Sequence, residues 1–354
     1  MHDFRYAALP SHVVFGAGVI GTLADELDRL GLGRLVVVST AGQRAAARSI
    51  GRWIGARCAG YFAGAAMHTP VDVTRHALAR IAPLDADGLI AFGGGSAIGL
   101  SKAIALRTGL PQIAIPTTYT GSEMTPILGE TENGLKTTQS AAIIQPGTVL
   151  YDPDLTMDLP VSVSGVSGLN AMAHAVEALY ARNGNPITSL MAAEGVRVLA
   201  RALPVIATTP GDRQARSDAL YGAWLCGVCL GTVGMALHHK ICHALGGTFG
   251  LPHAQTHAVM LPHVLAYNAP AAPDAMAALA AALGDADPAR ALFEIGRTVG
   301  APAGLRALGM AESDIDRALA LVLANPYWNP RPLERGALRA MLARAWAGSP
   351  PASE

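Results

Sequence analysis

The chain has 354 residues, enough for one large or two ordinary domains with real cores. Its 26 Lys and Arg balance 26 Asp and Glu, so there is no basic field for wrapping nucleic acid and no acidic tail. Charged residues make up only 15% and aromatics 5%, which describes a helix-rich protein with much buried surface, some of it expected at an oligomer interface.

The opening Met1-His2-Asp3-Phe4-Arg5-Tyr6 has no basic segment leading into an apolar one, so no signal peptide is read and a cytoplasmic protein is expected. Residues 12–15 (His-Val-Val-Phe) read as a strand. Gly16-Ala17-Gly18-Val19-Ile20-Gly21 then spells GxGxxG before an amphipathic helix around residues 23–30. The acidic residue expected about twenty positions later, on the ribose, is missing, because Leu35-Val36-Val37-Val38 ends in Ser39-Thr40. The motif therefore reads either as a pyrophosphate loop or as a turn packing a helix on a strand.

A second cradle is better built. Gly88-Leu89-Ile90-Ala91-Phe92 is a strand, Gly93-Gly94-Gly95 leaves the backbone bare, and Ser96 is expected to cap a helix running through Lys102 to Leu106. Bare backbone N–H groups and the positive end of a helix dipole attract a phosphate. Gln112-Ile113-Ala114-Ile115 is the next strand, closed by the hydroxyl-rich loop Pro116-Thr117-Thr118-Tyr119-Thr120-Gly121-Ser122-Glu123. The carboxyl end of a strand is where open α/β sheets bind ligands. Alternating strands and helices thus fill residues 12 to about 155 and predict a parallel sheet covered on both faces. Residues 149–153 read as the last strand and exit. Helical stretches follow to the end, so an α/β domain over residues 1–157 and an all-α domain over 158–354 are expected.

Two features of the second region invite other readings. Cys226 and Cys229 form a CxxC, but no strand precedes it and its neighbours are apolar, so buried small hydrophobes are expected in place of a redox dithiol. Residues 219–237 carry no charge and span a membrane by length, with Gly227 and Gly231 as a GxxxG. Because the run holds four glycines and leads directly into a histidine cluster, a buried helix is expected instead.

That cluster, His238-His239-Lys240-Ile241-Cys242-His243 continued to Leu251-Pro252-His253-Ala254-Gln255-Thr256-His257, holds five of the eleven histidines. His239 and His243 are four residues apart, as are His253 and His257 after a Gly/Pro break, and Asn170 and His174 repeat the spacing upstream. Each pair shares one face of a helix. Imidazoles lining one cavity suit metal binding or acid–base work.

Taken in order, Gly93-Gly94-Gly95-Ser96, Lys102, Pro116-Thr117-Thr118, Gly121-Ser122-Glu123, Asn170 with His174-Ala175-Val176-Glu177, His238-His239-Lys240, His243-Ala244-Leu245-Gly246-Gly247, Leu251-Pro252-His253 and Asn325-Pro326-Tyr327-Trp328-Asn329-Pro330-Arg331-Pro332 resemble the iron-containing alcohol dehydrogenase superfamily. The last segment resembles its maleylacetate reductase branch in particular. The resemblance implies a dehydroquinate synthase-like fold, with an NAD(P)-binding α/β domain with a parallel sheet, an all-α C-terminal domain, an active site between them and a homodimer. It also implies reduction of the maleylacetate C=C bond to 3-oxoadipate, in the breakdown of aromatic compounds, with NADH or NADPH.

Metal-dependent members hold their ion with one Asp and three His, which fall here on Asn170, His174, His239 and His253. An amide in place of the anionic ligand weakens the hold on a hard cation, although three imidazoles could still bind zinc; the resemblance to the reductase branch implies that no metal is used. Gly99 stands where the metal-dependent dehydrogenases usually carry Asp. His243 is the expected proton donor, with His253, His239 and His174 as further donors to carboxylate or enolate, Asn170 as a neutral donor, and Lys136 and Tyr327 as additional substrate contacts. Imidazolium groups are expected to replace the metal's charge, with His238 and His257 behind the others. For the cofactor, Gly93, Gly94, Gly95 and Ser96 are expected at the pyrophosphate and Thr117, Thr118 and Ser122 toward the nicotinamide. Ser39, small and uncharged, admits both NADH and NADPH. The partner is thus a small dicarboxylate, with no nucleic acid and no membrane. The rival readings are a metal-dependent alcohol dehydrogenase or aldehyde reductase of the same superfamily, and a nucleotide-binding protein without turnover.

Overall fold

The computed structural model describes residues 4, 6–8, 11–324 and 327–352, with the side chain of Lys136 outside the described set. The chain divides between Asp158 and Leu159 into two compact units, the second also taking in the described residues before Leu9.

In the first unit, strands and helices alternate as β1 (His12–Phe15), α1 (Leu23–Leu30), β2 (Leu35–Thr40), α2 (Arg44–Ile54), β3 (Cys58–Ala65), α3 (Val71–Ile81), β4 (Gly88–Gly93), α4 (Gly95–Thr108) and β5 (Gln112–Pro116). A hairpin of β6 (Ile127–Glu132) and β7 (Leu135–Ser140) precedes β8 (Thr148–Tyr151). Six strands form one sheet in the order β1-β8-β5-β4-β2-β3, with every pairing parallel. Helices on both faces explain why β2 and β4 are apolar runs without alternation. Val37, Ile90 and Ile113 pack with Leu23, Leu27, Ile50 and Ile54 on one face. Val36, Val38 and Leu89 pack with Ala77, Ile81, Leu100 and Ile104 on the other.

Two local expectations change. The stretch between β5 and β8 carries an antiparallel hairpin outside the main sheet, which the reading by βα alternation missed. Its signal was present as Asn133-Gly134, which take φ of 51° and 75°, the left-handed pair that a two-residue hairpin turn requires. Ser96 is not a cap: α4 starts one residue earlier, Gly94 is the N-cap, and no side chain bonds there.

The second unit is helical: α5 (Val161–Leu179), α6 (Pro186–Thr208), α7 (Arg213–Thr232), α8 (Leu237–Phe249), α9 (His253–Asn268), α10 (Pro273–Leu283), α11 (Pro288–Thr298), α12 (Ile315–Leu323) and α13 (Arg335–Ala347). Leu237, Ile241, Leu245, Val264, Leu319, Leu338 and Leu342 form a core among α8, α9, α12 and α13. The uncharged run 219–237 is not one helix: α7 ends at Thr232 and α8 leaves at a bend of 95°. Among the described residues no single helix is long and apolar enough to cross a membrane. Burial raises the Cys226 thiol well above its ordinary range and pushes Cys229 up to about 12, so both are inert packing residues.

Lys102 on α4 is 1% exposed, and its Nζ donates to the carbonyls of Ser122 (2.5 Å), Thr125 (2.8 Å) and Ile127 (3.0 Å) and to Thr125 Oγ1 (2.9 Å). It thereby ties the loop after β5 to α4. Burial pulls its ammonium down to about 7, opposed by the nearby Glu123 carboxylate. Lys102→Met removes these four bonds, although the Ser122 carbonyl keeps the Thr125 N–H and hydroxyl, and is expected to cost about 2–4 kcal/mol, read as a lower urea midpoint at unchanged slope.

Candidate active site

In the first unit, β2 continues to β3 on one side of the sheet and β4 to β5 on the other, so the strand order reverses between β2 and β4. Ser39, Thr40, Gly93, Gly94 and Gly95 lie at the carboxyl ends of these two strands, where a doubly wound sheet opens a ligand crevice. Gly93 takes φ of 140°, and a Cβ at Gly94 would stand 2.7 Å from Thr118 Oγ1 and 2.8 Å from its Cγ2. The neighbouring loop therefore packs directly on the glycine backbone. Gly95 differs, because the atom nearest an added Cβ is Thr120 Oγ1 at 3.8 Å, so its missing side chain leaves room above the helix N-terminus. Gly99 is set by packing as well, since a Cβ there would lie 2.5 Å from Thr69 Oγ1.

Three hydroxyls of the loop after β5, on Thr118, Thr120 and Ser122, are buried with no hydrogen-bond partner. Unsatisfied buried hydroxyls concentrated at a switch point are what a polar ligand would satisfy. Thr117 is already engaged, accepting from Gln43 Nε2 at 2.7 Å. Ser39 is fully buried and donates to the Thr40 carbonyl at 3.2 Å, leaving Thr40 as the more accessible hydroxyl of this strand end. The earlier GxGxxG is closed to phosphate: the Asp152 carboxylate accepts the N–H groups of Gly18 (3.0 Å) and Ile20 (3.1 Å). Of the two readings of that motif, the packing turn is the one the chain adopts.

In the helical unit, α5 presents Asn170, His174 and Glu177 at i, i+4 and i+7, all buried on one face. Glu177 organises the site. Its carboxylate accepts the N–H of Ala236 (2.9 Å) and of His238 (2.8 Å), two of the donors that the first turn of α8 leaves without helical partners. It also accepts from His239 Nδ1 at 2.7 Å, which leaves Nε2 of that ring as the working nitrogen. Helix α8 ends at Gly250, whose φ of 66° reverses the chain, and Pro252 starts α9. The reversal brings His253 and His257 back against α8. Ring centroids lie 5.2 Å apart for His174 and His239, 5.0 Å for His239 and His257, 4.3 Å for His253 and His257, and 6.4 Å for His243 and His253. His238 completes the group at 4.8 Å from His257.

Burial grades across the cluster: His238, His257, His174 and His239 are buried, His253 is half-buried and His243 is exposed. Burial, with the neighbouring imidazoles adding to it, holds His174 and His257 well below the ordinary histidine range. Burial likewise takes His238 down to about 3. These three rings are neutral at working pH, so the expected replacement of a metal's charge by imidazolium does not extend to them. Burial alone would raise the Glu177 carboxyl, but the His239 hydrogen bond, the nearby His239 and His238 rings and the Ala236 N–H together bring it below the usual carboxylate range. Asn170 Oδ1, His174 Nδ1, His239 Nε2 and the Tyr327 hydroxyl are buried with no partner.

The reading from sequence quoted Glu177 in a motif and gave it no role, because its partners Ala236, His238 and His239 lie on or beside another helix about sixty residues on. Lys240 was also missed: its Nζ lies 5.5 Å over the Tyr327 ring, placing a cation beside the cluster. Asn329 holds the segment after Tyr327 in place, bonding Asn268 on α9 and the Leu237 N–H that opens α8. Asn325 and Pro326 lie outside the described residues. Lys136 is on β7 of the first unit, and its side chain is likewise outside them.

Family models cover both units, iron-containing alcohol dehydrogenase over residues 10–153 and the C-terminal part of the Fe-containing alcohol dehydrogenase family over residues 165–346. The chain belongs to the iron-containing alcohol dehydrogenase family. Among its relatives, the maleylacetate reductase of Rhizobium sp. (strain MTP-10005) is 53% identical over 351 residues, 99% of this chain and all of that protein. That of Sphingobium indicum is 51% identical over 349 residues, 99% of each. The crystal structure of maleylacetate reductase from Agrobacterium tumefaciens superposes with a TM-score of 0.95 at 53% identity, covering 99% of this chain and all of that one.

These side chains do not fit the family's iron. Asn170 offers a neutral amide oxygen where a hard cation favours a carboxylate, and Glu177 already accepts from three N–H donors. Among the described residues, the His, Cys, Asp and Glu ligand atoms that lie within 4.8 Å of one another belong to His238, Cys242 and His257, a set without His174, His239 or His253. Removing Glu177 strands the His239 ring and two N–H groups in a dry interior. Glu177→Ala is therefore expected to cost about 3–5 kcal/mol, read as a fall in the denaturant midpoint of the full chain.

Proposed function

We propose that this chain reduces the C=C bond of maleylacetate, giving 3-oxoadipate, with a nicotinamide dinucleotide as hydride donor. The observation that carries the reading is the end-to-end match to maleylacetate reductases, joined to an amide at Asn170 in a site otherwise rich in imidazole. An aspartate there would repel a substrate bearing two carboxylates, whereas an amide N–H donates to one.

Hydride from the reduced nicotinamide adds to the alkene carbon β to the ketone, and the cofactor leaves oxidised. The electron pair of the C=C moves onto the ketone oxygen as an enolate, and a proton then reaches the carbon next to that ketone. Proton delivery and donors aimed at the developing oxyanion are what the side chains must supply. His243 is assigned as the proton donor, and its exposure lets water restore the proton after each turnover. His239, with Nδ1 fixed on Glu177, offers Nε2 to the enolate or a carboxylate. His174, His253, Asn170 and the Tyr327 hydroxyl are further donors. Lys240 supplies a cation for a carboxylate, and Lys136 remains a second candidate for that role.

The unpartnered hydroxyls of Thr118 and Ser122, with Thr117 beside them, are assigned to the nicotinamide half of the cofactor. The backbone of Gly93, Gly94 and Gly95 with Ser96 is assigned to the pyrophosphate. With Ser39 and Thr40 ending β2 and no carboxylate between them, both NADH and NADPH are accepted. No metal takes part in this scheme, and a homodimer is the proposed assembly.

The test is oxidation of NADH, followed by its absorbance, with freshly generated maleylacetate and enzyme held with or without a strong chelator. Equal turnover in both is expected. Turnover confined to simple aldehydes and abolished by the chelator would replace this reading with a metal-dependent alcohol dehydrogenase. His243→Ala is expected to lower kcat by about 10²-fold or more while the Kd for NADH stays within about twofold, and an unchanged kcat would exclude it as the acid.

A further inference from the structure

Behind the rings assigned to substrate lies a second group that the proposed reaction does not use. His238 and Cys242 stand four residues apart on α8, and His257 faces them from α9. All three are buried, at 1%, 1% and 0% exposure. His238 Nε2 lies 3.0 Å from His257 Nδ1 and 3.7 Å from Cys242 Sγ, and the three ligand atoms fall within 4.8 Å of one another. A ring nitrogen carries one lone pair or one hydrogen, so it cannot bond both neighbours well. Three candidate ligand atoms from two helices thus face one another in the interior, close enough to share one ion.

We infer that His238, Cys242 and His257 form a binding site for a soft or borderline cation of the zinc class, distinct from the position of the family's iron. The donor set is two imidazole nitrogens and one thiolate sulfur, which selects zinc, cobalt or copper(I) over magnesium or calcium. Tetrahedral zinc sets neighbouring nitrogens about 3.4 Å apart and nitrogen and sulfur about 3.6 Å apart, so shifts of a few tenths of an ångström suffice for the closest pairs. The Glu177 carboxylate, which accepts the His238 N–H at 2.8 Å, balances the positive charge left on a zinc–thiolate unit. A fourth position is left for a small exogenous ligand. Because both helices donate, occupancy staples α8 to α9.

The experiment is titration of the metal-stripped full chain with Co²⁺, followed by near-ultraviolet absorption, with Zn²⁺ binding measured in parallel by equilibrium dialysis. One cobalt per chain with a thiolate-to-cobalt charge-transfer band is expected, and the same ion should raise the melting temperature. Cys242→Ser should abolish the band and weaken Zn²⁺ at least tenfold, whereas His174→Ala should leave both in place. Cobalt bound without the band, binding lost in His174→Ala but kept in Cys242→Ser, or no binding at all would overturn the assignment. Should Cys242→Ser fail to fold, the band in the native chain and in His174→Ala decides the question.

Discussion

One buried carboxylate sets the geometry of the helical unit's candidate site. Glu177 reaches from α5 to take two N–H groups at the start of α8 and the Nδ1 proton of His239. The first contacts fix where α8 begins, and with it the rotation of a helix that carries His238, His239 and His243. The third fixes the tautomer of His239. A charge this deeply placed is tolerable because each bond it accepts is charge-assisted, and its cost falls on whichever partner is removed.

The sheet-bearing unit leaves a group of hydroxyls unsatisfied at its switch point. Lys102 gathers the oxygens of the loop after β5 on one side, and the packing of Thr118 on Gly94 holds it on the other. The hydroxyls of Thr118, Thr120 and Ser122 are left buried and unpaired between these fixed points. The nearby GxGxxG cannot serve, because an acidic side chain already occupies its amides.

The substitution of an amide for a carboxylate at Asn170 connects the family relationship to the proposed chemistry. In a family named for its iron, this chain places a neutral amide beside its buried imidazoles and a carboxylate that orients one of them. Burial keeps His174, His238 and His257 neutral, so they act as dipoles and hydrogen-bond donors. His243 is exposed and His253 half-buried. The graded burial thus separates rings held in the interior from rings open to solvent.

Much of this was legible in the sequence. Helical spacing of i,i+4 put Asn170 with His174, His239 with His243 and His253 with His257, and apolar strands closed by glycine marked the strand end at the switch point, because both follow from local backbone geometry. Ordered motifs carried the family resemblance. The tertiary structure alone decided which of two glycine motifs is occupied by Asp152, that the uncharged run 219–237 breaks at 95°, and that the two histidine helices fold back into one cluster. It also supplied the contacts of Glu177 and Lys240 and the meeting of His238, Cys242 and His257. Each of these depends on side chains distant in the sequence, and local periodicity fixes which face a residue occupies but not what that face meets.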